Sequence, residues 1–222
     1  MQAIIFIGPP GSGKGTQADQ IAEKFHFTHI ETSKIIEAKF LAASLDDPIM
    51  QREKQKWLAG ELNTPSLFAG WFNEEIHKLA QEGRSIVTSG SLRTIIESKI
   101  VLPNLEQLYG KENVKIFSIT LSEGESIKRN SLRRICQANR HPIPSGDYDS
   151  KFKDIIVCPW DSSPIVTRAL DKLEVIKERY RIFLEETAPV LDYLRGQGYN
   201  IIEINGEHSI ETVSREIAQY LV

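Results

Sequence analysis

The segment Gly8-Pro9-Pro10-Gly11-Ser12-Gly13-Lys14-Gly15-Thr16 constrains the fold more than any other part of this 222-residue chain. Before it runs Ile4–Ile7, a short β-branched stretch suited to a strand buried on both faces. After it, Ala18, Ile21, Ala22 and Phe25 recur at helical spacing, which predicts a helix from about Lys14 to Phe25. Glycines in such a loop let several N–H groups turn toward one anion. The helix start adds roughly half a positive charge, and Lys14 adds a full one. The strict pattern has Ser or Thr directly after the Lys, whereas here Gly15 intervenes before Thr16. Strand, loop and helix in this order read as a nucleotide-phosphate site built from Gly11, Ser12, Gly13, Lys14, Gly15 and Thr16. A tight Gly/Pro turn with an incidental lysine is the alternative.

The rest of the chain alternates in the same way. Helical patterns occupy about 33–45 and 48–59, the second stopped by Gly60. Thr64-Pro65 reads as a cap followed by proline at the first helical position, opening a helix to about Gln81. Core strands are expected at 85–88, 114–121 and 200–204, and helices at 125–134, from Ser163-Pro164 to Leu194, and at 209–220. The stretch 135–164 shows no sustained periodicity, and so long an irregular segment reads as a lid or flexible insertion. Strands alternating with helices imply a parallel sheet covered on both faces.

Composition excludes more than it selects. A net charge of −3 carries no polybasic signature, which argues against a nucleic-acid partner. No apolar run approaches the ~20 residues that span a bilayer. The apolar start, Ala3–Ile7, is too short for a signal peptide. With two cysteines, no disulfide framework is expected, and the default compartment is the cytosol.

Against this background Gly8–Gln17, including Gly15-Thr16-Gln17 after the lysine, resembles the phosphate loop of adenylate kinases. The resemblance extends in order along essentially the whole chain. Thr32 sits where the family has the Thr of Thr-Gly-Asp, and Ala59-Gly60-Glu61-Leu62 is similar to the end of its acceptor-binding insertion. Gly90-Ser91-Leu92-Arg93-Thr94 stands in for Gly-Phe-Pro-Arg-Thr. Arg129 and Arg133-Arg134 fall on the arginines at the start of the lid, and Arg168 and Arg179 on the pair at its end. Thr187-Ala188-Pro189 and the turn Asn205-Gly206 complete the match.

The resemblance implies an α/β P-loop fold: a parallel five-stranded sheet flanked by helices, with a small helical acceptor-binding insertion and a lid. Its segments would be core 1–31, insertion 32–64, core 65–134, lid 135–167 and core 168–222. It implies reversible transfer of the ATP γ-phosphoryl group to a nucleoside monophosphate. Phosphoryl transfer between polyanions needs cations around the moving group, and arginine grips phosphate oxygens two at a time. By resemblance Lys14, Arg93, Arg133, Arg168 and Arg179 are the catalytic set. Arg129 and Gly206 join the phosphate loop on the ATP side. The acceptor side comprises Thr32, Lys34, Glu61, Leu62, Asn63, Gly90, Arg93, Glu97, Arg168 and Arg179. ATP and Mg2+, the metal held mainly through phosphates and water, are the implied cofactors. The implied partners are small-molecule nucleotides, with a monomeric chain.

Departures concentrate on the acceptor side. Glu37 stands where the family has a phosphate-binding arginine, and Lys34, three residues earlier, is a candidate replacement. Ser89 occupies the place of the aspartate that holds water on magnesium; a hydroxyl can bond such a water but brings no charge. Glu97 replaces a glutamine that reads adenine. An ionised carboxylate only accepts hydrogen bonds, which suits a base showing two donors, as guanine does. An exposed Glu97 with no base role, and ordinary AMP bound more weakly, stay open beside that reading. So do two other functions: a nucleotide-binding pseudo-kinase with a decayed acceptor site, and a P-loop kinase for a small non-nucleotide metabolite.

Some family members pin the lid with zinc. Cys136 follows Arg133-Arg134-Ile135 as the first ligand does there, and Cys158-Pro159-Trp160-Asp161 resembles the second pair. The partner of Cys136 would fall at Asn139, a poor zinc ligand, with His141 near enough to substitute. A zinc lid and a metal-free lid both remain open, and no residue is assigned as a metal ligand.

Overall fold

The computed structural model describes residues 1–139, 141–143, 152–167 and 169–221. The run Ala3–Ile7 forms β1, and all five of its side chains are buried. With β2 (Thr28–Glu31), β3 (Ile86–Ser89), β4 (Val114–Thr120) and the final strand β8 (Ile201–Asn205) it makes a five-stranded sheet in the order β2-β3-β1-β4-β8. Every pairing is parallel.

Alternation along β1 explains why helices must cover both faces. Ala3, Ile5 and Ile7 point into one core, with Phe68, Phe72 and Ile76 of α4 (Pro65–Gln81), Val101 and Leu105 of α5 (Ile95–Tyr109), and Val190 and Leu194 of α8 (Ala188–Gly196). Ile4 and Phe6 point into the other, with Ala18 and Ile21 of α1 (Lys14–Phe25) and Val213 and Ile217 of α9 (Ile210–Ala218). From β1 the chain builds β2 and β3 on one side, then crosses to β4 and β8 on the other. Such a reversal opens a crevice at the carboxyl ends of the strands, where α/β proteins bind ligands.

The insertion consists of α2 (Thr32–Ala42) and α3 (Pro48–Ala59). Asp47 caps α3 by accepting from the N–H groups of Ile49 and Met50, and Pro48 fills the first turn. Its return to the core is fixed by a buried carboxylate. Glu53 accepts from the backbone N–H of Thr64 at 2.7 Å, the Thr64 hydroxyl at 2.6 Å and the Asn63 amide at 3.1 Å. Burial pushes the Glu53 carboxyl up, but these bonds and the Lys56 charge outweigh it and hold the group at about 2.

Several features depart from the sequence pattern. Strand β2 was not expected, because Thr28–Glu31 holds one apolar residue, Ile30, in only four residues at a sheet edge. Helix α5 was not expected either, since Pro103 interrupts it. Helix α6 (Glu123–Ser131) ends before Arg134, which begins β5. The lid is not irregular: β5 (Arg134–Cys136) pairs antiparallel with β6 (Pro142–Ile143) and β7 (Ile165–Val166).

Ser163-Pro164 therefore caps no helix. The Ser163 N–H donates to Asp161, the Pro164 carbonyl accepts from Gln137, and the chain is drawn into the lid sheet before α7 (Leu173–Ile182) starts. Between α7 and α8 the helix widens to a π-turn at Phe183–Thr187. Pro189 has no N–H to return to the carbonyl four residues back, which accounts for the widening. No helix among the described residues is long and apolar enough to cross a membrane.

Candidate active site

The crevice at the strand ends is a cleft of about 600 Å3. Its floor is the loop after β1, where Gly11 and Gly13 take φ of 80° and 92°, the left-handed region that glycine enters without penalty. Lys14 folds back over this loop and donates to the carbonyls of Gly8 and Pro9, both at 2.7 Å, and to the Ser12 hydroxyl at 3.2 Å. Burial, then repulsion from Arg93, Arg179 and Arg133, holds its ammonium well below the usual lysine range. A lysine that feels three arginines from three separate elements marks a point where positive charge is concentrated. Arg93, Arg129, Arg133, Arg134 and Arg179 all line this same cleft.

Arg129, Arg133 and Arg134 are held by their surroundings. Arg129 donates to Glu125 at 2.7 Å and to the Gly206 carbonyl at 2.8 Å, tying α6 to the turn after β8. Arg133 makes a two-pronged pair with Asp171. Arg134 reaches into the lid and donates to the carbonyls of Phe152 and Ile155. Gly206 has no room for a side chain: a Cβ there would sit 2.5 Å from the Thr120 carbonyl oxygen and 2.8 Å from Ile119.

Across the cleft, Arg93 donates to the Gly90 carbonyl at 2.6 Å and approaches the Thr32 hydroxyl at 3.5 Å. Gly90 has φ of 115°, and a Cβ there would meet the Arg93 guanidinium at 2.5 Å. Thr187, in the π-turn, donates to the Arg93 carbonyl at 2.9 Å and lines the cleft, so the widened helix feeds the site.

Gly11, Ser12, Gly13, Lys14, Gly15, Thr16, Thr32, Glu61, Leu62, Gly90, Arg93, Arg129, Arg133, Arg179 and Gly206 all line the cleft. Arg168 lies outside the described residues. Lys34, Asn63 and Glu97 are turned elsewhere. Lys34 is exposed and pairs with Glu31 at 3.5 Å. Asn63 is buried against Glu53. Glu97 is buried and accepts from the N–H groups of Leu92 at 2.5 Å and Arg93 at 3.1 Å. Burial pushes its carboxyl up to about 7, against the opposing pull of Arg93 and those two amides. It clamps the loop that presents Arg93. Leu92, in this loop, is fully buried with φ of 56°, a costly conformation for a side chain branched beyond Cβ.

In the lid, Cys136, His141, Cys158 and Asp161 place one ligand atom each within 4.8 Å of one another. His141 Nδ1 lies 3.4 Å and 3.3 Å from the two sulfurs and 3.3 Å from Asp161 Oδ2. Tetrahedral zinc bonds of about 2.0–2.3 Å set ligand-to-ligand edges of roughly 3.3–3.8 Å, so this donor set fits zinc.

Residues absent from the sequence reading also reach the cleft. Asp19, His29 and Glu31 line it, the last two because β2 carries them to the end of the sheet. Recognition of β2 was needed to place His29 and Glu31 there, while Asp19 is carried by α1.

A model of the adenylate kinase family matches residues 6–199. The chain belongs to the adenylate kinase family. The adenylate kinase of Petrotoga mobilis is 30% identical over 221 residues, covering 98% of this chain and 96% of that protein. That of Methanothrix thermoacetophila is 31% identical over 222 residues, covering 98% and 97%. That of Kosmotoga olearia is 30% identical over 221 residues, covering 98% of each. The chain is thus an ATP-dependent phosphotransferase of the nucleoside monophosphate kinase type.

Proposed function

We propose that the chain moves the γ-phosphoryl group of Mg–ATP reversibly onto AMP, in a cleft closed by the insertion 32–64 and the lid 135–167, and that it works as a cytosolic monomer. The observation that carries the reading is the convergence of Lys14, Arg93, Arg133 and Arg179 on one cleft.

The roles follow from position and charge. The phosphate loop and Lys14 hold the ATP tail, with Arg129 and Gly206 beside the donor base. Arg93, presented by the Glu97 clamp and braced by Thr187, takes the acceptor phosphate, with Thr32, Glu61, Leu62 and Gly90 around the acceptor. Arg133 and Arg179 surround the phosphoryl group in flight, and the family resemblance adds Arg168 to them. Attack is in line by the acceptor phosphate oxygen, and no side chain acts as nucleophile. Lid closure excludes water, so the acceptor rather than solvent takes the group.

Thr16 and Ser89 bring hydroxyls, and Glu31 a carboxylate, to the same cleft, oxygen groups that suit magnesium and its bound water. Bound near Thr16 and the phosphates, the metal would neutralise charge on the phosphate oxygens. In the lid, Cys136, His141, Cys158 and Asp161 would hold a structural zinc.

A coupled assay with ATP, magnesium and AMP, GMP, CMP and UMP in turn tests the reading. Turnover should be greatest with AMP, and Lys14→Ala should lower it by about 100-fold or more. Turnover with no monophosphate would sink the proposal, and preference for GMP would reassign the acceptor.

A further inference from the structure

Ser89 sits at the end of β3, in register with Phe6 of β1 and Glu31 of β2, and opens on the cleft. Its hydroxyl lies 2.7 Å from His29 Nε2, and His29 Nδ1 lies 2.7 Å from Asp19 Oδ1. The three residues come from α1, β2 and β3, so the chain of bonds depends on tertiary assembly. We propose that Asp19 and His29 are positioning residues that turn Ser89 into an acceptor-only group, so that it holds metal-bound water as a carboxylate would. The inference rests on the reading of the cleft as a metal–ATP site.

The direction of the bonds carries the argument. An ionised Asp19 can only accept, so in the neutral ring Nδ1 carries the proton and Nε2 offers its lone pair. Ser89 must then donate its single proton to His29. The lone pairs left on its oxygen then have no proton of their own to compete, and Ser89 lines the cleft. A free hydroxyl would rotate and present donor and acceptor in turn, losing half its hold on a ligand that only donates. Coupled hydrogen bonds polarise one another, so the Asp19 charge strengthens the acceptor at the far end. The same logic governs residues that orient metal ligands, whose loss weakens affinity by about 10–100-fold.

The test measures Mn2+ binding to the protein–ATP complex by electron paramagnetic resonance, alongside metal-free ATP affinity in EDTA. Asp19→Asn keeps an oxygen for His29 but removes the charge, His29→Phe cuts both bonds, and Ser89→Ala removes the acceptor. Each should weaken Mn2+ by about tenfold while leaving metal-free ATP affinity within about twofold. Ser89→Asp should restore Mn2+ affinity and make it indifferent to Asp19→Asn, a rescue that a merely structural role for His29 would not produce.

Unchanged Mn2+ affinity in Asp19→Asn and His29→Phe overturns the relay while leaving the proposed function intact. Equal loss of metal-free and metal-bound ATP affinity also overturns it. A phosphoryl group found on Ser89 after incubation with ATP would do the same, since the oxygen would then be a nucleophile. Failure of wild type to bind ATP at all overturns both readings.

Discussion

A buried carboxylate beside an arginine invites the assumption that it is ionised, and Glu97 shows why burial has to be weighed first. Its carboxyl accepts two backbone N–H bonds and faces Arg93, yet burial outweighs these and pushes it up to about 7. Because the folded value lies above the ordinary 4.5, the stability linked to protonation is fully present below about pH 4.5 and is lost as pH rises through 7. The difference amounts to ~3 kcal/mol. Wild-type Tm should therefore fall between pH 5 and 8 by several degrees more than that of Glu97→Gln, which cannot ionise there. Parallel pH profiles for the two proteins would refute this account. The position was legible in the sequence as a departure from the family, but the direction of the side chain was not. A glutamate at that point could face the acceptor base or cap the loop, and only the burial of α5 decides it. Lys34 is the same case: its helix spacing was readable, its pairing with Glu31 was not.

At the scale of elements, what was legible was whatever local chemistry dictates. The phosphate loop, α1, the Gly60 stop of α3 and the Pro65 start of α4 follow from glycine and proline, so their sequences announce them, whereas Thr64 makes no side-chain cap and donates to Glu53 instead. Strand β2 and helix α5 are held by their neighbours, and a four-residue edge strand or a proline-bearing helix carries no local signature strong enough to read. The lid was hardest, because its strands span only three, two and two residues. Its small core of Cys136, Ile143 and Cys158, with Phe152, Ile155 and Ile165 against it, is modest support for such a sheet. A metal would supply the missing energy, since structural zinc binding contributes directly to folding. Protein purified after growth with zinc should carry about one ion per chain, and Cys158→Ser should lower that content. Removing the ion should expose the lid to protease near Trp160 while the five-stranded core stays resistant. A zinc content near zero would show that the four side chains pack without it.

Over the whole molecule, a chain of net charge −3 gathers Lys14, Arg93, Arg129, Arg133 and Arg179 around one cleft, whose lining also carries Asp19, Glu31, Glu61, Glu125, Glu207 and Glu211. Around Lys14, where Arg93, Arg179 and Arg133 converge, like charges repel in the empty protein where solvent screens them least. Burial first, and then repulsion from these arginines, lowers the Lys14 ammonium, and a polyphosphate is the ligand that relieves the repulsion. Stabilisation by ATP should therefore be electrostatic in character. At a hundred times its dissociation constant ATP adds about 2.7 kcal/mol, or roughly 5–10 °C in Tm for a chain of this length. At a fixed ATP concentration, raising the salt from about 0.05 to 0.5 M should shrink the shift by screening the rim of the cleft. Lys14→Met, which keeps the length of the side chain and removes its charge, should cancel most of the shift at either salt. A Tm increase that ignores both salt and Lys14→Met would mean that the nucleotide is held by its base and sugar, and the cationic cleft would need another ligand.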